Sequence, residues 1–151
     1  MKKGMTWVLV AAVVGLLTGA AFAQFAKTEE AVKYRQSVMS VIGTHFSRMG
    51  AVVKGEAPYA KEAFEQNASI VAMLIPLPWD AFMAAGSDKG SGMKADALSK
   101  KDDFMKLAAA NQAEDAKLLA ASKGGDINTI KPQFGAAGAS CKACHDAYRN
   151  K

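Results

Sequence analysis

From Glu29 to about Lys54 the apolar positions recur at helical spacing. One stripe runs Val32, Arg35/Gln36, Met39, Ile42/Gly43, Phe46, Met49/Gly50 and Val53, and a second runs Val38, Val41, His45, Met49 and Val52. Two stripes on one helix predict burial on more than one side. Thr28 is the candidate cap, Glu29 and Glu30 suit the positive end of the helix dipole, and Gly55 predicts the stop. Gly43 and Gly50 lower helix propensity, which predicts close approach of the backbone to a neighbour or to a flat ligand.

Pro58 fits the first turn of a second helix, Tyr59 to about Ile75, with Phe64, Asn67/Ala68, Val71 and Leu74/Ile75 on one face. Pro76 and Pro78 end it, and the residue before a proline is pushed out of the helical region, so residues 76–79 are expected to be extended or turn-like. Residues 84–94, rich in Gly and Ser, read as the longest loop. A third helix is expected from about Ser99 to Lys123, opened by Ser99 and Asp102 in cap-like spacing and stopped by Gly124-Gly125. Its stripe is Phe104, Leu107/Ala108, Asn111, Asp115 and Leu118. The fourth starts near Asp126 or Asn128 and carries Ile127, Ile130, Phe134, Ala137, Cys141, Cys144/His145 and Tyr148. Pro132 costs little if Asn128 caps this helix and predicts a kink if Asp126 does. Gly135 to Ala139 form a small-residue floor for the edge of a flat ligand or a close helix. With no strand alternation, the pattern predicts an all-α protein, an antiparallel four-helix bundle.

Met1 to Ala23 changes the picture of where this bundle works. Lys2 and Lys3, an apolar run from Trp7 to Leu17 and Ala21-Phe22-Ala23 read as a secretory signal, cleaved before Gln24. Residues 24–151 then form a single domain, expected to be soluble and periplasmic and held to no membrane after cleavage. The formal charge of +5 for the whole chain falls by two with the loss of Lys2 and Lys3. The remaining basic residues are scattered rather than gathered with aromatics on one stripe, which argues against nucleic acid.

Both cysteines of the chain lie in Cys141-Lys142-Ala143-Cys144-His145, the Cys-x-x-Cys-His attachment sequence for a c-type haem. On a helix, residues three and four apart share a face, so two thiols and one imidazole project together. That arrangement lets both sulfurs bond one porphyrin while the imidazole reaches its iron. A structural zinc site needs four ligands and finds only His45 as a candidate outside the motif, and a thioredoxin-like reading lacks its βαβ context. A periplasmic dithiol protein without haem remains the alternative of a different class. No Ser/His/Asp set or paired carboxylates emerge from the spacing, so an enzyme is not expected and the one reactive centre would be the iron itself. Trp79 is either core or cofactor wall.

Together with the four helices, Leu77-Pro78-Trp79, Gln24-Phe25-Ala26-Lys27, Tyr34-Arg35-Gln36 and the C-terminal run Gly138 to Arg149, this motif makes the sequence resemble cytochrome c′, the class II c-type cytochromes. The resemblance spans essentially residues 24–151. It implies one haem c held by Cys141 and Cys144, His145 as the proximal ligand, and high-spin five-coordinate iron with an open distal side. It implies binding of nitric oxide and carbon monoxide, periplasmic redox partners, nitric oxide buffering, and a homodimer through the first two helices. By the same resemblance Arg35 and Gln36 match residues beside the haem propionates, Met39 the residue facing the distal site, and Arg149 a basic residue near the proximal ligand. The alternative is a low-spin His/Met carrier with Met39 as sixth ligand, since methionine raises the potential of such iron.

Overall fold

The computed structural model describes residues 24–150, so the expected signal segment, Met1 to Ala23, lies outside the described residues. Among the described residues six helices follow one another: α1 (Thr28–Lys54), α2 (Lys61–Leu74), α3 (Trp79–Phe82), α4 (Asp96–Ser99), α5 (Lys101–Gly124) and α6 (Ile127–Tyr148). The four long ones form the expected bundle. α5 packs most extensively on α6, while α2 lies against both α1 and α5. The short links α1–α2 and α5–α6 make those pairs antiparallel neighbours.

The ends of the helices differ from expectation in instructive ways. Gly55 and Gly125 close α1 and α5 in the left-handed conformation, with φ of 80° and 77°. Thr28 does not cap α1, because its hydroxyl donates to the Ala85 carbonyl at 3.0 Å and so ties the helix start to the long connection. α2 begins at Lys61 and not near Tyr59. The Tyr59 ring turns away to donate its hydroxyl to the Gly125 carbonyl at 3.0 Å. Ser99 closes α4 instead of capping α5, which opens at Lys101. Asp126 caps α6, accepting from the Asn128 amide at 2.9 Å and the Thr129 hydroxyl at 3.1 Å. Helix assignment continues unbroken through Pro132.

The deepest positions of α1 are Ala31, Arg35, Val38, Ile42 and Met49. They combine members of both expected stripes, and Val41 is left 44% exposed. His45 holds α1 to α2 through Asn67, with Nδ1 to Oδ1 at 2.7 Å. α1 meets α6 through Phe46 and Phe134, whose rings stack at 4.4 Å between centroids. A Cβ on Gly50 would lie 3.5 Å from Phe134, and one on Gly138 would lie 3.7 Å from Phe46. A side chain at either position would thus meet a ring of the other helix at ordinary van der Waals distance. These pairings set α1 antiparallel to α6.

The long connection is tied down at both ends. Residues 92–94 lie along the end of α6: the Lys94 amide donates to the Tyr148 carbonyl at 2.9 Å and the Asn150 amide to the Gly92 carbonyl at 2.8 Å. Lys94 Nζ adds bonds to the carbonyls of Asp146 and Ala147. Last-turn carbonyls that a helix cannot satisfy internally thus find donors. From the other side, Arg35 of α1 donates to the Ser87 carbonyl and to Ser91 Oγ, each at 2.6 Å, and contacts Met93 Sδ at 3.3 Å.

Candidate functional site

Moving from the Phe46–Phe134 contact toward the start of α1 and the end of α6, the two helices enclose a cavity of about 530 Å³. The antiparallel register that pairs Phe46 with Gly138 and Gly50 with Phe134 sets Gly43 against Cys141, Met39 against His145 and Arg35 against Arg149. All six line the cavity, together with Gln36, Cys144 and Trp79. Every site residue expected from the sequence therefore borders one space.

Helix geometry explains the α6 wall. Cys141, Cys144 and His145 fall within about one turn and share a face, and both thiols are free. Burial raises the Cys141 thiol, reinforced by Asp115 and opposed by an Asn111 hydrogen bond. Burial, with Cys141 nearby, pushes Cys144 up to about 11. Both are thiols rather than thiolates at neutral pH, whereas a dithiol exchange centre needs a depressed thiol pKa. Burial lowers the His145 imidazole, helped by Arg149 and opposed by Asp146. A neutral ring keeps a nitrogen lone pair for a metal.

The opposite wall and the floor are mostly apolar. Trp79, Phe82, Phe104 and Tyr148 form a linked aromatic cluster, with centroids 5.3 to 5.9 Å apart. The Arg35 guanidinium lies 4.5 Å over the Phe82 ring. Burial lowers its pKa, and Asp88 acts in the opposite sense. Three of its contacts go to the 87–93 segment, so Arg35 builds the wall as well as lining it. Trp79 is 6% exposed, and its Nε1–H is buried without an acceptor among the described residues.

Several lining residues escaped the sequence reading. Phe104, Asn111 and Tyr148 lay on the expected stripes but read as core. Phe82 and Met93 belong to segments with no period to mark them. Asn111 is the most specific of these, donating to Ser140 Oγ at 2.9 Å and to Cys141 Sγ at 3.2 Å.

These residues fit a haem. The cavity volume lies in the range of small-molecule and cofactor sites, about 300–1,000 Å³. It combines apolar walls with an unsatisfied indole donor and with Arg35 and Arg149, groups suited to propionate carboxylates. Two thiols and one imidazole stand on a single face. Among the described residues, no group of three or more His, Cys, Asp or Glu side chains is arranged to cage a metal ion.

Comparison with known proteins gives the same direction. The family profile described as Cytochrome C' matches residues 30–149. The cytochrome c' of Alcaligenes xylosoxydans xylosoxydans is 44% identical over 128 residues, covering 85% of this chain and 99% of the relative. Among solved structures, the nitric oxide complex of a variant cytochrome c prime from Alcaligenes xylosoxidans aligns with a TM-score of 0.79 at 44% identity, over 85% of this chain and 99% of that one. A carbon monoxide-bound variant from the same organism aligns with a TM-score of 0.79 at 44% identity, over 85% of this chain and 100% of that one.

Proposed function

The chain belongs to the cytochrome c′ family, and from that footing we propose that it is a periplasmic cytochrome whose haem iron, ligated by His145, leaves its other side open to nitric oxide and carbon monoxide. Proteins of this family carry covalently attached haem c. The observation that carries the reading is the cavity itself. Cys141, Cys144 and His145 open into it from α6, and the facing wall offers Met39 from α1.

Each residue has a role in this reading. Cys141 and Cys144 would hold the porphyrin by thioether bonds, and burial favours the thiol form of both. His145 would hold the iron through an imidazole nitrogen. Arg35, Gln36, Trp79 and Arg149 stand at the cavity wall as partners for the propionates or as neighbours of the proximal ligand. When bound, the haem supplies an iron that exchanges one electron and can take a diatomic ligand. Met39 covers the approach to it with a flexible apolar side chain, which favours small uncharged gases over anions. Electron transfer and handling of nitric oxide both follow from such a centre.

The antiparallel register also favours one second reading, in which the Met39 thioether is the sixth ligand and the protein is a low-spin carrier of raised potential. An optical spectrum of the purified protein decides. The open site predicts high-spin bands and a reduced spectrum that changes with carbon monoxide. A low-spin reduced spectrum indifferent to carbon monoxide makes Met39 a ligand. Absence of a pyridine haemochrome removes haem altogether.

A homodimer through α1 and α2 belongs to the same proposal. Val41 on α1 and Met73 on α2, the latter 68% exposed, are large apolar side chains turned to solvent. Apolar groups on adjacent helices support a face that a second copy covers. No helix among the described residues is long and apolar enough to cross a membrane, which fits release after cleavage.

A further inference from the structure

α5 carries one carboxylate that neither the fold nor the haem reading uses. Asp115 is 1% exposed, and neither of its oxygens has a hydrogen-bond partner among the described residues. Its location is specific. One turn earlier on α5, Asn111 bonds Ser140 Oγ and Cys141 Sγ, and Asp115 itself acts electrostatically on Cys141. An isolated carboxyl thus lies on the α5–α6 seam beside one of the two cysteines that anchor the haem.

Nothing around it offers a counter-charge. Glu114 precedes it on α5 and is engaged by Lys117 at 2.7 Å and Gln133 at 2.8 Å. From α6 the titratable group acting with it is the Cys141 thiol. α2 turns the apolar Phe64, Ala68 and Val71 into the bundle. α4 buries Ala97, and its Asp96 pairs with Lys100 at the surface. An ionised carboxylate in such a place has lost water without gaining a counter-charge, so the protonated form is favoured. Burial, then Glu114, push its pKa up to about 7, against a smaller opposing pull from Asn111. The group is therefore poised to change state at neutral pH.

We propose that Asp115 is a proton-binding site coupled to the redox state of the haem, taking up a proton when the haem gains an electron and releasing it when the electron leaves. The inference rests on the haem reading above. Charges separated by low-dielectric protein feel one another far more strongly than in water. The negative charge added by one electron therefore raises the proton affinity of a buried carboxylate nearby. The step balances simply: a one-electron donor reduces ferric to ferrous haem, solvent supplies one proton, and the Asp115 carboxylate becomes the carboxylic acid. No bond to iron changes. By linkage, the factor by which reduction tightens proton binding is the factor by which proton binding favours reduction.

The test is a spectroelectrochemical titration of the haem-loaded protein and its Asp115→Asn variant through the neutral range. For a tenfold tightening of proton binding on reduction, the midpoint of the unmodified protein stands about 59 mV higher on the acid side than on the alkaline side. The Asn variant lacks that component. Reduced-minus-oxidised infrared spectra of the unmodified protein, with and without carbon-13 labelled aspartate, give a second readout that needs no variant to fold. An aspartic acid carbonyl band should appear on reduction near neutral pH and move with the label. Identical pH profiles in the two proteins, or no label-sensitive carboxylic band, overturn the proposal while leaving the haem reading intact. A protein with no haem spectrum at all overturns both.

Discussion

In the proposed open site, Met39 is the side chain on which access to the iron would turn, since the register of α1 against α6 sets it across from His145. Met39→Ala should open the distal wall and speed carbon monoxide binding in stopped flow, with little change in stability because the side chain is only part-buried. A conversion of low-spin to high-spin bands in the same variant would instead identify a lost ligand. Asp115 makes a prediction of the opposite kind, about stability. Its folded pKa is raised from the ordinary 3.8 to about 7, so the folded state holds a proton that the unfolded state gives up. Stability from this group is intact below pH 4 and is lost as pH rises toward and past 7. The full loss corresponds to roughly 4 kcal/mol as an upper bound. Urea melts of Asp115→Asn and the unmodified protein should therefore agree best in acid, with the variant the more stable at pH 8. Asp115 was visible in the sequence as a carboxylate on an apolar stripe. Its isolation was not, because that depends on which α6 residues stand opposite.

Among elements, the connection between α2 and α5 matters more than its loop-like composition suggests. Arg35 is 2% exposed and bonds three groups in it, so Arg35→Ala should cost about 3 kcal/mol or more. It should also raise amide exchange in residues 84–94 ahead of the long helices. Asp126→Ala removes the cap of α6 and should cost about 1 kcal/mol in thermal or chemical denaturation. The long helices were legible because apolar residues returned every third or fourth position and Gly55 and Gly125 ended the runs. α3 and α4, at four residues each, carry no period to read. Thr28, Tyr59 and Ser99 looked like helix starters, but each hydroxyl found a partner elsewhere. Local sequence marks a capacity to cap, and tertiary neighbours decide whether it is used.

For the molecule as a whole, the Cys-x-x-Cys-His motif made the cofactor readable from five residues, while the chamber around it was only partly readable. Arg35, Gln36, Met39 and Arg149 came from family likeness, and Trp79 from the size of its ring. Phe82, Met93, Phe104 and Asn111 join them only when the bundle closes and brings distant stretches together. The paired surface of α1 and α2 yields a prediction at this scale: Met73→Glu should shift sedimentation toward monomer without altering the haem spectrum. Finally, α1 and α6 meet tightly at Phe46 and Phe134 and stand apart at Arg35 and Arg149, where the 92–94 segment and the Arg35 bonds fix the far side. The gap between them is thus held at one end by the ring stack and at the other by the 92–94 segment. Alignment of a bound disc would then depend on this frame as much as on the bonds to sulfur and nitrogen.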